Sequence, residues 1–397
     1  MSRPLEGVRV IDAGTRIAAP FCAGLLGELG AEVIKVEQPG TGDFMRSIGP
    51  FVRSETDGAT ADYSLFWAVE GRGRKSVTCD LRQAEGQELF KRLTATAQVV
   101  VENFRPGAME GWNVGPTDLA DHLVYVRISA FGQDGPYAQR PGLDRMGIAY
   151  GGLMHLTGYP DRPPVRVGVT LSDYLTGAFA ASAASAALYA GRGAVIDACL
   201  YGSALRILEW TLAAYDALGT VRSREGNRLA NSAPLDNYPT KDGKHVCIVA
   251  AADGNFAKLC AAMGRTELVN DPRYKTLADR AARSDELNDL VAAWTMSLTA
   301  DDVEAACIAG DVPVATVYSA TDIFADPHMA ARGDLISVDD PVIGPIRQQA
   351  PVPRIDGEPP PVPTGAPRLG EHNDEVWGDL VGLSEGELAE LRAGRVI

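Results

Sequence analysis

The chain has 397 residues, 46% of them hydrophobic, and a formal net charge of −15 at pH 7. That length and apolar content suit two or three domains with sizeable cores, and the acidic balance disfavours nucleic acid and anionic membranes as partners. The opening residues MSRPLEGVRVID hold no long apolar run, so no secretory leader is expected. The weakly polar run 174–191 is built of Ala, Ser and Gly, not the roughly 20 strongly apolar residues of a membrane span. Six scattered cysteines (Cys22, Cys79, Cys199, Cys247, Cys260, Cys307) form no CxxC pair, and five histidines stand apart. Reduced thiols, a cytoplasmic location and no protein-bound metal are therefore expected.

In chain order, VRVID (8–12) reads as a buried strand, 20–30 as a helix closed by Gly30, and AEVIKVE (31–37) as a second strand. A loop rich in Gly, Asp and Ser is expected over 38–61. KSVTCDL is a third strand, 84–96 an amphipathic helix, QVVVENF a fourth strand and LVYVRISAFG a fifth. The apolar run VRVGVT reads as a strand ending at Thr170, followed by a buried, Ala-rich helix over 174–190. AVIDACL is another strand and 201–218 another helix. Short β-rich runs alternating with helices predict an α/β fold with a parallel, doubly wound sheet.

The polar stretch 219–237 reads as a linker. Beyond it lies a second region of about 80 residues, a usual domain size. It holds the strand KHVCIVA, helices near 255–263, 285–298 and 300–309, and the strand PVATVYS. The tail passes through EPPPVPTGAPRLG into a short helix over 384–393. The expected domains are a large one over 1–220, a small one with its linker over 221–320, and a segment 321–397 that returns to the large one.

Three places carry candidate chemistry. In VIDAGTRIAAP, Glu37 stands where a dinucleotide site would place its acid, but Gly14 is followed by Thr15, Arg16, Ile17, Ala18 and Ala19. Without the glycines the backbone cannot approach a pyrophosphate, so NAD is disfavoured. Arg72, Arg74 and Lys75 cluster in GRGRK, and Arg105 follows a strand in ENFRPG. Ligands of doubly wound sheets sit beyond the carboxyl ends of strands, which suits Arg105 and the turn 15–17; a solvated basic patch is the plainer reading. Asp173 opens the Ala-rich helix. A carboxylate there ordinarily caps the helix, and the alternative is a nucleophile facing an activated carbonyl.

The stretches PLEGVRVID, LLGELGAEVIKVEQPGTGD, GRGRKSVTCDL, VENFRPGAME, SAFGQDGPYAQRPGLD, VRVGVTLSDYLTG, YPTKDGKHVCIVA, NDPRY and PRLGEHNDEV together resemble family III CoA-transferases, the CaiB/BaiF group. They run in the family's order from residue 4 to the final helix. The resemblance implies a Rossmann-like large domain with a parallel sheet, closed by the C-terminal segment, a smaller α/β domain, and an interlocked homodimer. It implies acyl-CoA and carboxylic acid substrates, with Asp173 as nucleophile and an aspartyl-CoA thioester as intermediate. Arg16, Ile17, Arg72, Lys75 and Arg105 are then the expected contacts for coenzyme A. Some relatives carry a glutamine where Ile17 stands and a glycine-rich loop where LANSAPLDN stands, so the acyl group is left open. Alpha-methylacyl-CoA racemases resemble the chain too, but their GHD motif aligns with residues 142–144, and Leu143 cannot exchange a proton. His155 is the nearest histidine in sequence. A non-catalytic CoA-binding protein is the third reading.

Overall fold

The structure, a computed structural model, describes residues 3–56, 59–359 and 361–397. Residues 57–58 of the expected loop, 360 of the proline-rich tail and 1–2 of the opening stretch lie outside the described residues. The chain forms two compact units, one of residues 1–154, 166–212 and 328–397, the other of 155–165 and 213–327.

In the first unit the strands as far as residue 199 are β1 (Arg9–Asp12), β2 (Glu32–Glu37), β3 (Phe51–Thr56), β4 (Ala59–Ser64), β5 (Lys75–Thr78), β6 (Val99–Glu102), β7 (Val124–Ser129) and β8 (Ala194–Cys199). Interleaved helices are α1 (Ala18–Glu28), α2 (Leu65–Glu70), α3 (Ala84–Thr94), α4 (Ala108–Gly111), α5 (Asp144–Tyr150), α6 (Leu153–Leu156), α7 (Leu171–Tyr189) and α8 (Leu200–Arg206). Six strands make one sheet in the order β5-β2-β1-β6-β7-β8, with every pairing parallel. Such a sheet needs both faces covered, and the alternation of the strands supplies both. Ile11, Ile34, Val77, Val100 and Tyr125 pack on one side with Leu89, Phe90 and Trp377. Val10, Val33, Val99, Val101, Val124 and Val126 face the other way, onto α1 and α7.

α1 and α7 touch closely because their facing residues are small. A Cβ on Gly177 would stand 2.8 Å from the Ala18 carbonyl oxygen and 2.9 Å from Phe21 Cδ1. Only a stripe of α7 is buried, Ser172, Thr176, Gly177, Ala180, Ala181, Ala184 and Ala187, whereas Tyr189 on its other side is 95% exposed. The helix expected to be wholly buried is thus buried along one stripe.

The outer edge of β5 is closed by the C-terminal segment. The His372 N–H donates to the Ser76 carbonyl at 2.9 Å, the Ser76 N–H to His372 Nδ1 at 3.1 Å, and the Thr78 N–H to Asn373 Oδ1 at 2.8 Å. Trp377 Nε1 donates to the Thr78 carbonyl at 3.2 Å from a π-helical stretch, Asp374–Leu380. An edge strand that would otherwise offer free backbone groups is covered.

Several elements differ from expectation. The loop expected over 38–61 contains the antiparallel hairpin β3–β4. VRVGVT forms no strand: Pro163 and Pro164 just before it lack N–H donors, and the α7 helix begins directly after Thr170. The helix expected over 201–218 is broken, because Glu209 adopts a left-handed φ of 53° between α8 and Thr211–Leu218.

The second unit carries a three-stranded antiparallel sheet of β9 (Leu235–Pro239), β10 (His245–Val249) and β11 (Val314–Thr316), in the order β11-β10-β9. β9 begins within the stretch 219–237 expected to be linker and runs past its end. Tyr238, Val246 and Ile248 pack there against Leu259, Val291 and Val303.

Candidate active site

The strand order reverses direction between β1 and β6, and loops leaving the carboxyl ends of such neighbours diverge to leave a crevice. Here the two turns are tied across it. The Thr15 N–H donates to Asn103 Oδ1 at 2.8 Å, and Asn103 Nδ2 returns a bond to the Thr15 carbonyl at 2.7 Å. Arg16 follows in a left-handed conformation, φ 66°, unusual for a residue with a side chain. Its N–H donates to Asp43 Oδ1 at 3.1 Å.

Asp43 belongs to a buried charge network beneath the turn. Lys35 Nζ lies 2.9 Å from Asp43 Oδ2 and 3.5 Å from Asp12 Oδ1, and also donates to the Gly14 carbonyl. Arg74 Nη1 donates to Asp12 Oδ2 at 2.6 Å. Burial pulls Lys35 down, yet the carboxylates of Asp12, Asp43 and Glu37 overcome it and hold the amine above its ordinary value. Buried charges persist when paired in this way, and the pairing holds the turn over which a ligand would lie.

Above the turn is a cavity of 460 Å³, bordered by Thr15, Arg16, Ile17, Asn103, Asp144 and Asp173, among others. Asp173 is the third residue of α7. The N-cap is Thr170, without a side-chain cap bond, and among the described residues nothing hydrogen-bonds the Asp173 carboxylate. Capping is therefore not its role in this structure. Burial, then the negative charge of Asp144, push its pKa up to about 7, against a downward pull from Arg16.

Asp144, the first residue of α5, clamps the two helix starts together. Its Oδ1 accepts the Ser172 N–H at 2.8 Å and lies 2.9 Å from Ser172 Oγ. Asp144 Oδ2 is buried without a partner. On α7 itself, the next side chain is also anchored: Tyr174 donates its hydroxyl to Glu70 Oε1 at 2.8 Å and packs edge-on against Phe21.

Of the residues singled out from sequence, Arg16, Ile17 and Asp173 share this cavity. Arg105 follows β6 at the same edge of the sheet and is exposed, outside the residues bordering the cavity. Arg72 and Lys75 are elsewhere. They precede or begin β5 and so lie at the amino edge. Arg72 binds Glu28 at 3.0 Å and Gln348 at 2.7 Å; Lys75 pairs with Glu32 and Glu375, both at 2.6 Å. Missed in the sequence were Asn103, Asp144, Ser172, Arg145 and Arg166. Asn103 and Asp144 lie inside the quoted motifs ENFRPG and GLD, a signal that could have found them; the clamp spans 28 residues and leaves no local trace. Among the described residues no group of His, Cys, Asp and Glu could hold a metal ion, and no helix is long and apolar enough to cross a membrane.

Comparison with known proteins places the chain. Residues 5–373 match the model of CoA-transferase family III. The chain is 44% identical over 402 residues to succinyl-CoA–D-citramalate CoA-transferase of Chloroflexus aurantiacus, covering 100% of this chain and 98% of that one. It is 40% identical over 405 residues to the beta subunit of succinyl-CoA–L-malate CoA-transferase of the same organism, covering 99% and 98%. A CaiB/BaiF family protein from Brucella suis, solved by crystallography, matches with a TM-score of 0.84 at 33% identity, over 96% of this chain and 100% of that one. The resemblance read from the motifs thus holds over nearly the whole length, and the chain belongs to CoA-transferase family III.

Proposed function

We propose that the protein transfers CoA from an acyl-CoA to a carboxylic acid through a covalent aspartyl-CoA thioester on Asp173. The observation that carries this reading is the state of that carboxylate: it borders a cavity at the carboxyl edge of the sheet, accepts no hydrogen bond among the described residues, and holds its proton up to about pH 7. A carboxylate stabilised by cap bonds is a weak base and a weak nucleophile; this one is neither capped nor fully solvated.

The steps balance without water or ATP. An Asp173 oxygen attacks the thioester carbonyl, the C–S bond breaks, and CoA thiolate leaves behind a mixed anhydride. The thiolate then attacks the Asp173 carbonyl carbon and expels the donor's carboxylate, giving the aspartyl-CoA thioester. The acceptor carboxylate repeats the two steps in reverse, leaving as its CoA ester and regenerating Asp173. Each oxyanion needs donors in place, and the first turn of α1, whose leading N–H groups have no partner within the helix, borders the cavity at Ile17 and Ala18.

CoA is far longer than its acyl group. A second cavity of 280 Å³ at the same edge shares Thr15 and is bordered by Phe104 and Trp112, and this reading gives it to the nucleotide end. Arg16, Ile17 and Arg105 remain contacts for CoA in this reading; the ion pairs of Arg72 and Lys75 favour a structural role. We read the two compact units as a large and a small domain. A homodimer in the cytoplasm is part of the same proposal, supported by apolar side chains left exposed on the first unit, Val195 at 61% and Trp210 at 51%. Sedimentation equilibrium tests it.

The mechanism is tested by mixing the protein with a panel of acyl-CoAs, quenching with hydroxylamine, and locating the hydroxamate by peptide mass spectrometry. The expected label is on Asp173. No label from any donor, with exchange of the substrate's α-proton for deuterium, would replace the transferase with a racemase.

A further inference from the structure

Three arginines border the cavity of Asp173, namely Arg16, Arg145 and Arg166, in a chain of net charge −15. Two of them are engaged. The Arg16 guanidinium lies 4.5 Å from the centre of the Phe44 ring, and Arg166 donates to the Gly168 carbonyl at 3.3 Å. Arg145 is exposed, and among the described residues no carboxylate pairs with it. An unpaired guanidinium on a cavity wall is a carboxylate or phosphate site in waiting.

Its position decides between the two anions. Arg145 is the residue after Asp144, and Asp173 is the residue after Ser172, so the Asp144–Ser172 clamp holds the two side chains on adjoining helix starts. The thioester carbonyl must come to Asp173. The phosphates of CoA are separated from that carbonyl by the whole pantetheine arm, whereas the far end of a short acyl chain is a few bonds away. Leu143 and Met146, 53% and 48% exposed, flank Arg145 on the same wall and offer an apolar surface to methylene groups.

We propose that Arg145 binds the second carboxylate of a dicarboxylic acyl group, so that the protein moves CoA between dicarboxylic acids and discriminates against monocarboxylic acids of equal length. The assignment rests on Asp173 being the nucleophile. A guanidinium meets a carboxylate with two parallel hydrogen bonds. A methyl group in that place leaves the guanidinium unpaired as the acyl chain displaces its water, so the difference between the two ligands is large.

The test compares rates of hydroxamate formation on Asp173 from succinyl-CoA and from butyryl-CoA, its uncharged counterpart. The proteins are wild type, Arg145→Met, Arg145→Lys and Arg166→Met. Wild type should prefer succinyl-CoA by about ten- to a hundredfold, the usual worth of a hydrogen bond to a charged group. Arg145→Met should lose that preference, its rate with succinyl-CoA falling and its rate with butyryl-CoA rising as the stranded guanidinium is removed, and Arg145→Lys should recover part of it. The proposal is overturned if Arg145→Met keeps the ratio, if it lowers both rates alike, or if Arg166→Met is the variant that removes the preference. Absence of any label in wild type would sink the Asp173 mechanism itself, a result distinct from an unchanged ratio.

Discussion

A carboxylate buried free of hydrogen bonds costs the fold stability, and Asp173→Asn should reveal how much. In the folded chain the carboxyl titrates at about 7 rather than 3.8. At 1.36 kcal/mol per unit, ionising it there costs at most about 4 kcal/mol relative to the unfolded chain. Asp173 is only half-buried, so solvent screens part of this and about 1–2 kcal/mol remains. The sign follows from proton binding. Below about pH 4 both states hold the proton and the cost is zero; between about 4 and 7 the unfolded chain releases it first, so stability falls as pH rises and levels off above 7. Asparagine has the shape without the charge. The variant should therefore melt about 1–4 °C above wild type near pH 8, with the gap closing towards pH 4, as followed by circular dichroism. A variant less stable than wild type near pH 8, or a gap independent of pH, would show that the carboxylate is being stabilised, and the argument for its reactivity would fall with it.

Two further perturbations act on the same carboxylate. Asp144→Asn keeps an oxygen for Ser172 but removes the neighbouring charge that raises Asp173; the acidic limb of the pH profile for hydroxamate formation should move to lower pH, and a limb that stays put would show that Asp144 does not set it. Gly177→Ala drives a methyl group against the Ala18 carbonyl and the Phe21 ring; a loss of about 1–3 kcal/mol in urea unfolding is expected, with slower labelling of Asp173 as α7 shifts away from Ile17. Full stability in this variant would show that α1 and α7 can part at no cost.

The layered core was readable because β1, β6 and β7 each carry a run of apolar residues whose alternate members fill opposite faces. The pattern misleads at Asp173, since an acid opening a helix usually caps it and this one does not. What speaks against the cap is the bond it does not make, and that is visible only in three dimensions. Arg72 and Lys75 show a different failure. Both stand before the body of β5, and the loop preceding a parallel strand lies at the edge away from the crevice; the order of residues already said so. The Asp144–Ser172 clamp joins two helix starts across α6 and the irregular stretch 157–170, and no spacing rule reaches across it. The hairpin β3–β4 was hidden by a composition of Gly, Asp and Ser that usually means loop.

The covering of β5 has a consequence for how the protein is made. Ser76 and the His372 that caps it are 296 residues apart, so a ribosome adding about 5–20 residues per second needs roughly 15–60 s to deliver the cap after the strand. During that interval one side of the growing sheet is an open template for any other nascent strand. All residues of the second unit emerge before the cap does, so the first unit, with the cavity of Asp173, is the last to close. Slow translation near the 3′ end, or loss of the final thirty or so residues, should then give aggregation at the sheet edge rather than a soluble but inactive enzyme.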